Sequence, residues 1–402
     1  MSAINARAIS NSEDSIFWWK MGKIKVGVIG TGFIGPAHIE ALRRLGNVNV
    51  VALADVDEPT ARAKAAALGV ERSYGDYREM LADGDIKAVH ICTPNNLHYA
   101  MSKEAIEAGK HVVCEKPLAI SAAEGEELVR MAAKKRVVNA VHFNIRYYPL
   151  MRQVKMMVEK GEFGEIFAIH GSYLQDWLFY PTDYNWRLEP SLSGKSRAIA
   201  DVGSHWIDLI EYVSGLRIVE VFADFATFHK TRKKPLKPVE TYAGKILKPE
   251  DYKDVKIDTE DYASVLLRFD NDARGVLTVS QVAAGRKNRL YFELDGSKKA
   301  AAWESEKPNH IWIGRRDGSN EELMRDPSLV YPEVRDIISF PGGHNEGFPD
   351  TSKQMFREIY AYIAAGDMKA VPRFPTFGDG LRELVLCEKI LESNEAQRWI
   401  KV

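Results

Sequence analysis

The sequence predicts a two-domain α/β protein: an N-terminal doubly wound parallel sheet, then an α+β domain on an open, mainly antiparallel sheet. Three observations carry this. The chain has 402 residues, beyond the size at which one hydrophobic core usually stops growing. From Lys23 to Phe143, short apolar runs alternate with stretches of helical spacing. After about Pro149 the texture changes to longer alternating runs joined by turn residues.

Each element follows from local chemistry. The runs Lys25–Ile29, Val48–Ala54, Ala88–Cys92, His111–Cys114 and Val137–His142 are apolar nearly throughout, as strands covered on both faces must be. Between them, Ile39, Leu42 and Leu45 keep helical spacing before Gly46, and Thr60–Leu68 and Ser102–Ala108 stop at Gly69 and Gly109, where a C-cap is expected. In the second half, Val219–Phe228, Tyr262–Phe269, Ala273–Val282 and Arg289–Leu294 read as strands, with turns at Asp270-Asn271-Asp272 and Asp295-Gly296. Lys230–Asp258 reads as an exposed Lys/Pro-rich excursion, and Ser352–Ala365 and Gly378–Ser393 as closing helices. The expected organisation is an extension at 1–20, a first domain at 21–145, a second at 146–350 and helices at 351–402.

Composition narrows the function. Lys and Arg (55) nearly cancel Asp and Glu (56), so no basic excess is present to neutralise a phosphate backbone, and no nucleic-acid partner is expected. No apolar run is long enough to span a bilayer. Cys92, Cys114 and Cys387 are too few and scattered for a disulfide framework or a zinc site, which suits a reducing cytoplasm. Residues 1–20 lack the features of a signal peptide.

The first βα junction reads Val28-Ile29-Gly30-Thr31-Gly32-Phe33-Ile34-Gly35, a complete G-x-G-x-x-G between strand and helix. Gly30 permits the tight turn, Gly32 lets the backbone approach a pyrophosphate, and Gly35 lets helix and strand pack closely. The helix N-terminus, behind Phe33 and Ile34, faces the anion. The next strand ends at Asp55, twenty positions past Gly35. A carboxylate there accepts from ribose hydroxyls and repels a 2′-phosphate, and no Arg follows at once, so NAD is the expected cofactor. Asp55 could instead cap the helix that begins near Pro59. Thr93, Pro94, Asn96 and His98, with Glu115 and Lys116, fall at two further strand ends on the same rim. Taken alone, Thr93-Pro94-Asn95 also fits an ordinary turn.

Lys116 ends an apolar strand and precedes Pro117, which biases its backbone to an extended form. Such a lysine either sits on the surface or donates to a substrate oxygen. In Ala200–Ile210, the core stripe Val202, Trp206, Leu209, Ile210 and Val213 places Asp201, His205 and Asp208 on a neighbouring helical face. A carboxylate one turn from an imidazole can fix its tautomer and raise its basicity, as a general base needs. A capping aspartate and a core histidine have the same spacing.

Gly30–Gly35, the segment Ala108–Ala119 with its Glu115-Lys116-Pro117, and Asp201–Asp208 together resemble the Gfo/Idh/MocA oxidoreductase family, over nearly the whole chain from Lys23 to Val402. The resemblance implies a Rossmann domain that binds NAD, a second domain whose open sheet often serves oligomerisation, and C-terminal helices that return to the first domain. A homo-oligomer, dimer or tetramer, is expected on that basis. By matching position, it makes Lys116, Asp201 and His205 catalytic. His205 would take a hydroxyl proton, Asp201 would orient His205, and Lys116 would hold the reacting oxygen; some members give the proton to the lysine instead. Asn144 and Arg146 match residues at the domain junction, and Trp186 and Arg187 a cleft-lining pair. The implied reaction is reversible oxidation of a secondary hydroxyl on a sugar, inositol or glycoside. Asn144, Tyr173, Gln175, Arg187, Asp201 and His205 are candidates for reading the substrate. Two other functions occur among proteins resembling this family: glycoside cleavage through transient oxidation by retained NAD, and cofactor or sugar sensing without catalysis.

Overall fold

Parallel strands need crossovers, and the N-terminal pattern supplies a helix at nearly every one. A computed structural model describes residues 22–236 and 249–402; the extension at 1–20 and residues 237–248 lie outside them. Its first sheet comprises β1 (Ile24–Ile29), β2 (Val48–Ala54), β3 (Arg72–Tyr74), β4 (Ala88–Ile91), β5 (His111–Cys114) and β6 (Asn139–Val141), in the order β3-β2-β1-β4-β5-β6, with every pairing parallel. The helices α1 (Ile34–Arg43), α2 (Glu58–Leu68), α3 (Tyr77–Ala82), α4 (Asn95–Glu107) and α5 (Ala122–Lys135) cover it. The order reverses between β1 and β4, which opens a crevice at their carboxyl ends. β3 went unpredicted because it is three residues long and half polar.

The second sheet has nine strands in the order β16-β15-β14-β13-β7-β12-β11-β8-β17. In chain order these are β7 (Ile166–Leu174), β8 (Ile218–Ala226), β11 (Tyr262–Phe269), β12 (Arg274–Ser280), β13 (Arg289–Gly296), β14 (Lys299–Glu304), β15 (His310–Arg315), β16 (Glu321–Met324) and β17 (Ile400–Lys401). Only β7 and β12 pair in parallel. One face packs on α6 (Pro149–Glu159) and α8 (Ser204–Ser214), with the short α7 (Pro190–Ser193) nearer the crevice. β7 escaped prediction because His170-Gly171-Ser172 interrupts its apolar alternation. A Cβ on Gly171 would lie 2.0 Å from the Tyr291 carbonyl oxygen and 2.7 Å from Trp206 Nε1, so only glycine lets the indole cross the strand.

The Lys/Pro-rich stretch corrects an expectation. β9 (Thr231–Pro235) and β10 (Tyr252–Lys256) form an antiparallel ladder, and Arg232 is fully buried against Asp261 rather than solvated. The closing helices α9 (Phe348–Ala365) and α10 (Phe377–Ala396) both return to the first domain. α9 packs on α1 and the 3₁₀ turn Asn144–Tyr147, and α10 lies against α5 and β8. Gly125 and Gly380 allow this close fit, since a Cβ on either would come within 3 Å of Leu384 or Leu118.

Candidate active site

At the β1–α1 turn, Gly30 has φ +87°, and a Cβ on Gly35 would sit 2.2 Å from the Gly30 carbonyl oxygen. Gly32 differs: a Cβ there would meet nothing within 4 Å, so open space lies beside the backbone just before the helix N-terminus. Asp55 caps the loop, not the next helix. Its Oδ2 accepts from the amide and hydroxyl of Thr31, and Oδ1 from Val56 N, while Asp57 caps α2. Phe33, Val56 and Leu97 are exposed apolar side chains around this rim. The turn fits a dinucleotide: Gly30–Gly35 would hold its pyrophosphate, Asp55 its ribose, and the exposed apolar rim its adenine. Asn96 Oδ1 is buried with no hydrogen-bond partner among the described residues, so that rim also holds an unused acceptor.

Lys116 leaves β5 through a cis bond to Pro117 and reaches across to the second domain. Its Nζ donates to the Asp201 backbone carbonyl (2.7 Å) and to Asp201 Oδ1 (2.8 Å). Arg187 Nε donates to the same Oδ1 (3.2 Å), with its guanidinium over Trp186 (4.5 Å) and Trp177 (5.5 Å). Burial opposes ionisation of Asp201, but Lys116 and then Arg187 outweigh it, and the carboxyl lies well below its usual range. His205 is packed edge-on to Phe143, and burial followed by the Lys116 charge lowers its pKa to about 3. Its Nδ1 is sealed from solvent and has no hydrogen-bond partner among the described residues.

The local backbone explains this layout and corrects the helical reading. Residues Ile199–Gly203 form a π-turn ahead of α8, so Asp201 and Asp208 do not share one regular α-helical face. Asp201 spends both carboxylate oxygens on Lys116, Arg187 and Gln281, and none on His205. Asp208 instead binds Arg146, which also reaches Asp379 (2.9 Å). Asn144 Nδ2 donates to Thr351 Oγ1 (2.7 Å). Asn144, through Nδ2, and Arg146, through its guanidinium, thus tie the domain junction to α9 and α10. Arg146 lines a recess of about 600 Å³, with Lys155, Glu159 and Tyr212, that does not include Lys116, Asp201 or His205.

Two more expected cofactor residues serve the loops. His98 places its two ring nitrogens 2.7 and 2.9 Å from the Pro117 and Thr93 carbonyl oxygens, and the neutral ring donates to one of them, bracing one strand end against the other. Thr93 turns its hydroxyl to the Met101 sulfur, and Pro94 precedes α4. Glu115 points away from the cleft. Its carboxylate accepts from His38 Nε2 (2.9 Å) and His142 Nδ1 (2.6 Å), and His38 meets His90 (2.9 Å). Among the described residues, His38, Glu115 and His142 alone place three ligand-type atoms within 4.8 Å of one another, though hydrogen bonds already join them. Tyr173 and Gln175 both donate to Asn288 (2.7 Å each), and Tyr173 lies beside the His205 ring. Sequence reasoning missed Gln281 and the three histidines. Only His38, in the helix opened by the glycine motif, had a signal to follow.

Comparison with known proteins settles the lineage. Residues 24–143 match the family model described as "Oxidoreductase family, NAD-binding Rossmann fold", and residues 151–302 match the "GFO/IDH/MocA C-terminal domain". The chain belongs to the Gfo/Idh/MocA oxidoreductases. As a member of that family it is an NAD-dependent oxidoreductase. Among its relatives, the levoglucosan dehydrogenase of Pseudarthrobacter phenanthrenivorans is 29% identical over 396 residues, 95% of this chain and 99% of that protein. The myo-inositol 2-dehydrogenase of Thermotoga maritima is 30% identical over 276 residues, 68% and 73% of the two chains. The solved structure of levoglucosan dehydrogenase with NADH and L-sorbose superposes with a TM-score of 0.84 at 29% identity, covering 95% of this chain and 99% of that one.

Proposed function

We propose that this oxidoreductase reversibly oxidises a secondary hydroxyl of a sugar, inositol or glycoside, with Lys116 holding the reacting oxygen and His205 taking its proton. The Lys116–Asp201 pair carries the reading. An ammonium group has three donors, and Asp201 occupies two of them through its backbone oxygen and Oδ1. The third is left for a substrate oxygen, where a fixed positive charge stabilises developing negative charge. At neutral pH the His205 imidazole is uncharged and keeps a lone pair for the hydroxyl proton. Bound NAD⁺ supplies the acceptor for the hydride that leaves the carbinol carbon. Loss of that hydride and of the hydroxyl proton leaves a ketone.

Trp177 and Trp186, flanking Arg187, support a ring substrate, since aromatic faces suit the C–H faces of sugars and cyclitols. The named activities of the relatives point to the same substrate class. The open face of the nine-stranded sheet supports a homo-oligomer, a dimer or tetramer. Phe222, Leu266 and Val276 lie directly opposite one another there, with exposed Phe167 and Trp312 on other strands of that sheet. Three free cysteines suit a reducing cytoplasm.

The test is NADH absorbance with NAD⁺ and a panel of sugars, inositols and glycosides, repeated on His205→Ala. Reduction is expected with one class, and the variant should lose it by at least about 100-fold while still binding NAD by tryptophan fluorescence. A variant that turns over at the wild-type rate sinks the role of His205. Silence across the panel in protein that retains NAD would favour glycoside cleavage or sensing.

A further inference from the structure

Asp201 turns to Lys116 and not to His205, and the cause lies behind the cleft. Its Oδ2 accepts from Nε2 of Gln281 (3.0 Å), the residue that follows β12. Gln281 is fully buried, and its Oε1 accepts from Arg197 (2.8 Å). Arg197, also buried, donates to Asp261 (2.6 Å) and to the hydroxyl and carbonyl of Thr259 (3.0 and 3.2 Å). Arg232 donates to the same Asp261 oxygen (2.8 Å), and the Arg197 backbone amide donates to Glu260 (2.8 Å).

This chain has a fixed polarity. An arginine carries only donors and stays protonated, so the Gln281 atom facing it is the carbonyl oxygen. The amide nitrogen then necessarily faces Asp201. Every side chain that meets the Asp201 carboxylate is therefore a donor, which keeps it an acceptor aimed at Lys116.

We propose that Gln281, oriented by Arg197, is a positioning residue for the oxidation step. It holds the Asp201 carboxylate so that Lys116 presents its third N–H to the substrate oxygen. The proposal rests on the role given to Lys116 above. Neither residue touches the substrate; both act through Asp201.

The informative variant is Gln281→Glu, assayed with the compound that reduces NAD⁺ in the panel. At acid pH the introduced carboxyl is protonated, donates to Asp201 and accepts from Arg197, as the amide does. As pH rises it ionises, repels Asp201 and frees Lys116. The expected result is kcat near wild type at the acid end, falling about 10–100-fold below it as that group titrates, with the KM for NAD⁺ unchanged. A fold defect would lower kcat evenly across pH. A wild-type pH profile overturns the proposal.

If that variant does not fold, Gln281→Met keeps the volume and removes both polar atoms. It should lose about 10-fold or more in kcat, bind NAD⁺ as wild type does, and expose Lys116 Nζ to faster acetylation by acetic anhydride, read by peptide mass spectrometry. Wild-type kcat and labelling rate overturn the proposal. Lys116→Met separates the two failures. Full turnover in that variant defeats the reading of Lys116 itself, whereas an inactive Lys116→Met beside an unaffected Gln281 variant defeats the role of Gln281 alone.

Discussion

Glu115 and Lys116 are adjacent in the chain and enter opposite kinds of polar cluster. Behind the sheet, Glu115 joins His38, His90 and His142, and one assignment of protons satisfies them all. Tyr360 donates to His90, His90 to His38, and both His38 and His142 donate to an ionised Glu115, while Ser352 donates to His142. Each imidazole is then neutral and each lone pair is used. Facing the cleft, the Lys116 cluster is incomplete: with two of its three N–H groups on Asp201, the lysine retains one donor. A closed network is what stability selects; open valences beside a crevice are what a substrate needs.

That contrast breaks or holds under three measurements. The largest effect is expected from Lys116→Met: kcat should fall about 1000-fold or more, with NAD binding and Tm nearly unchanged. A variant that retains a tenth of wild-type kcat would place Lys116 in the structural class instead. Glu115→Gln should show the reverse pattern. It removes the charge at the centre of the closed cluster and should cost about 2 kcal/mol in denaturant unfolding, with kcat within a few-fold of wild type. Equal stability would mean that the cluster does not depend on its carboxylate.

The smallest effect is a pH dependence of stability. Burial, then the neighbouring His142, lowers the folded-state pKa of His38 from 6.5 to about 4. Between those values the unfolded chain binds the proton and the folded one does not, so this contribution is lost as pH falls from 6.5 towards 4. The depressed carboxyls of Glu115 and Asp201 act in the same direction at lower pH. Asp208, which burial raises to about 6 against the pull of Arg146, opposes them between 6 and its ordinary value. Tm should therefore fall on acidification from pH 7, and less steeply in a His38→Gln protein. An identical slope in that variant would remove His38 from the account.

The two clusters were unequally legible in the sequence. The cleft side was readable because Gly30–Gly35, Lys116 and the Asp201–His205 spacing each sit in a motif, and the structure gathers the last three across the domain boundary. The closed side was not, because His38, His90 and His142 are 52 residues apart or more and meet only through the β4-β5-β6 order and α1. Gln281 and Arg197 were illegible for a related reason: each is one polar residue beside an apolar run, and their alignment depends on β12 pairing with β11 and on the Ile199–Gly203 turn packing over β12. The orientation of Asp201 failed differently. Its spacing to His205 was read as one regular α-helical turn, and a π-turn with stronger donors elsewhere turned the carboxylate away.

The path of the last helix bears on how such a protein can be recombined. α10 lies on α5 of the first domain and on β8 of the second, Ser393 and Asn394 accept from the β8 amides of Ala223 and Phe225, and β17 then adds itself to that strand. The two halves are therefore not independent modules, although each has its own sheet and core. A chimera that joins this N-terminal sheet to another C-terminal one has two partners to satisfy with a single helix. Whichever parent supplies that helix, the other half inherits a seam it was not built to fit.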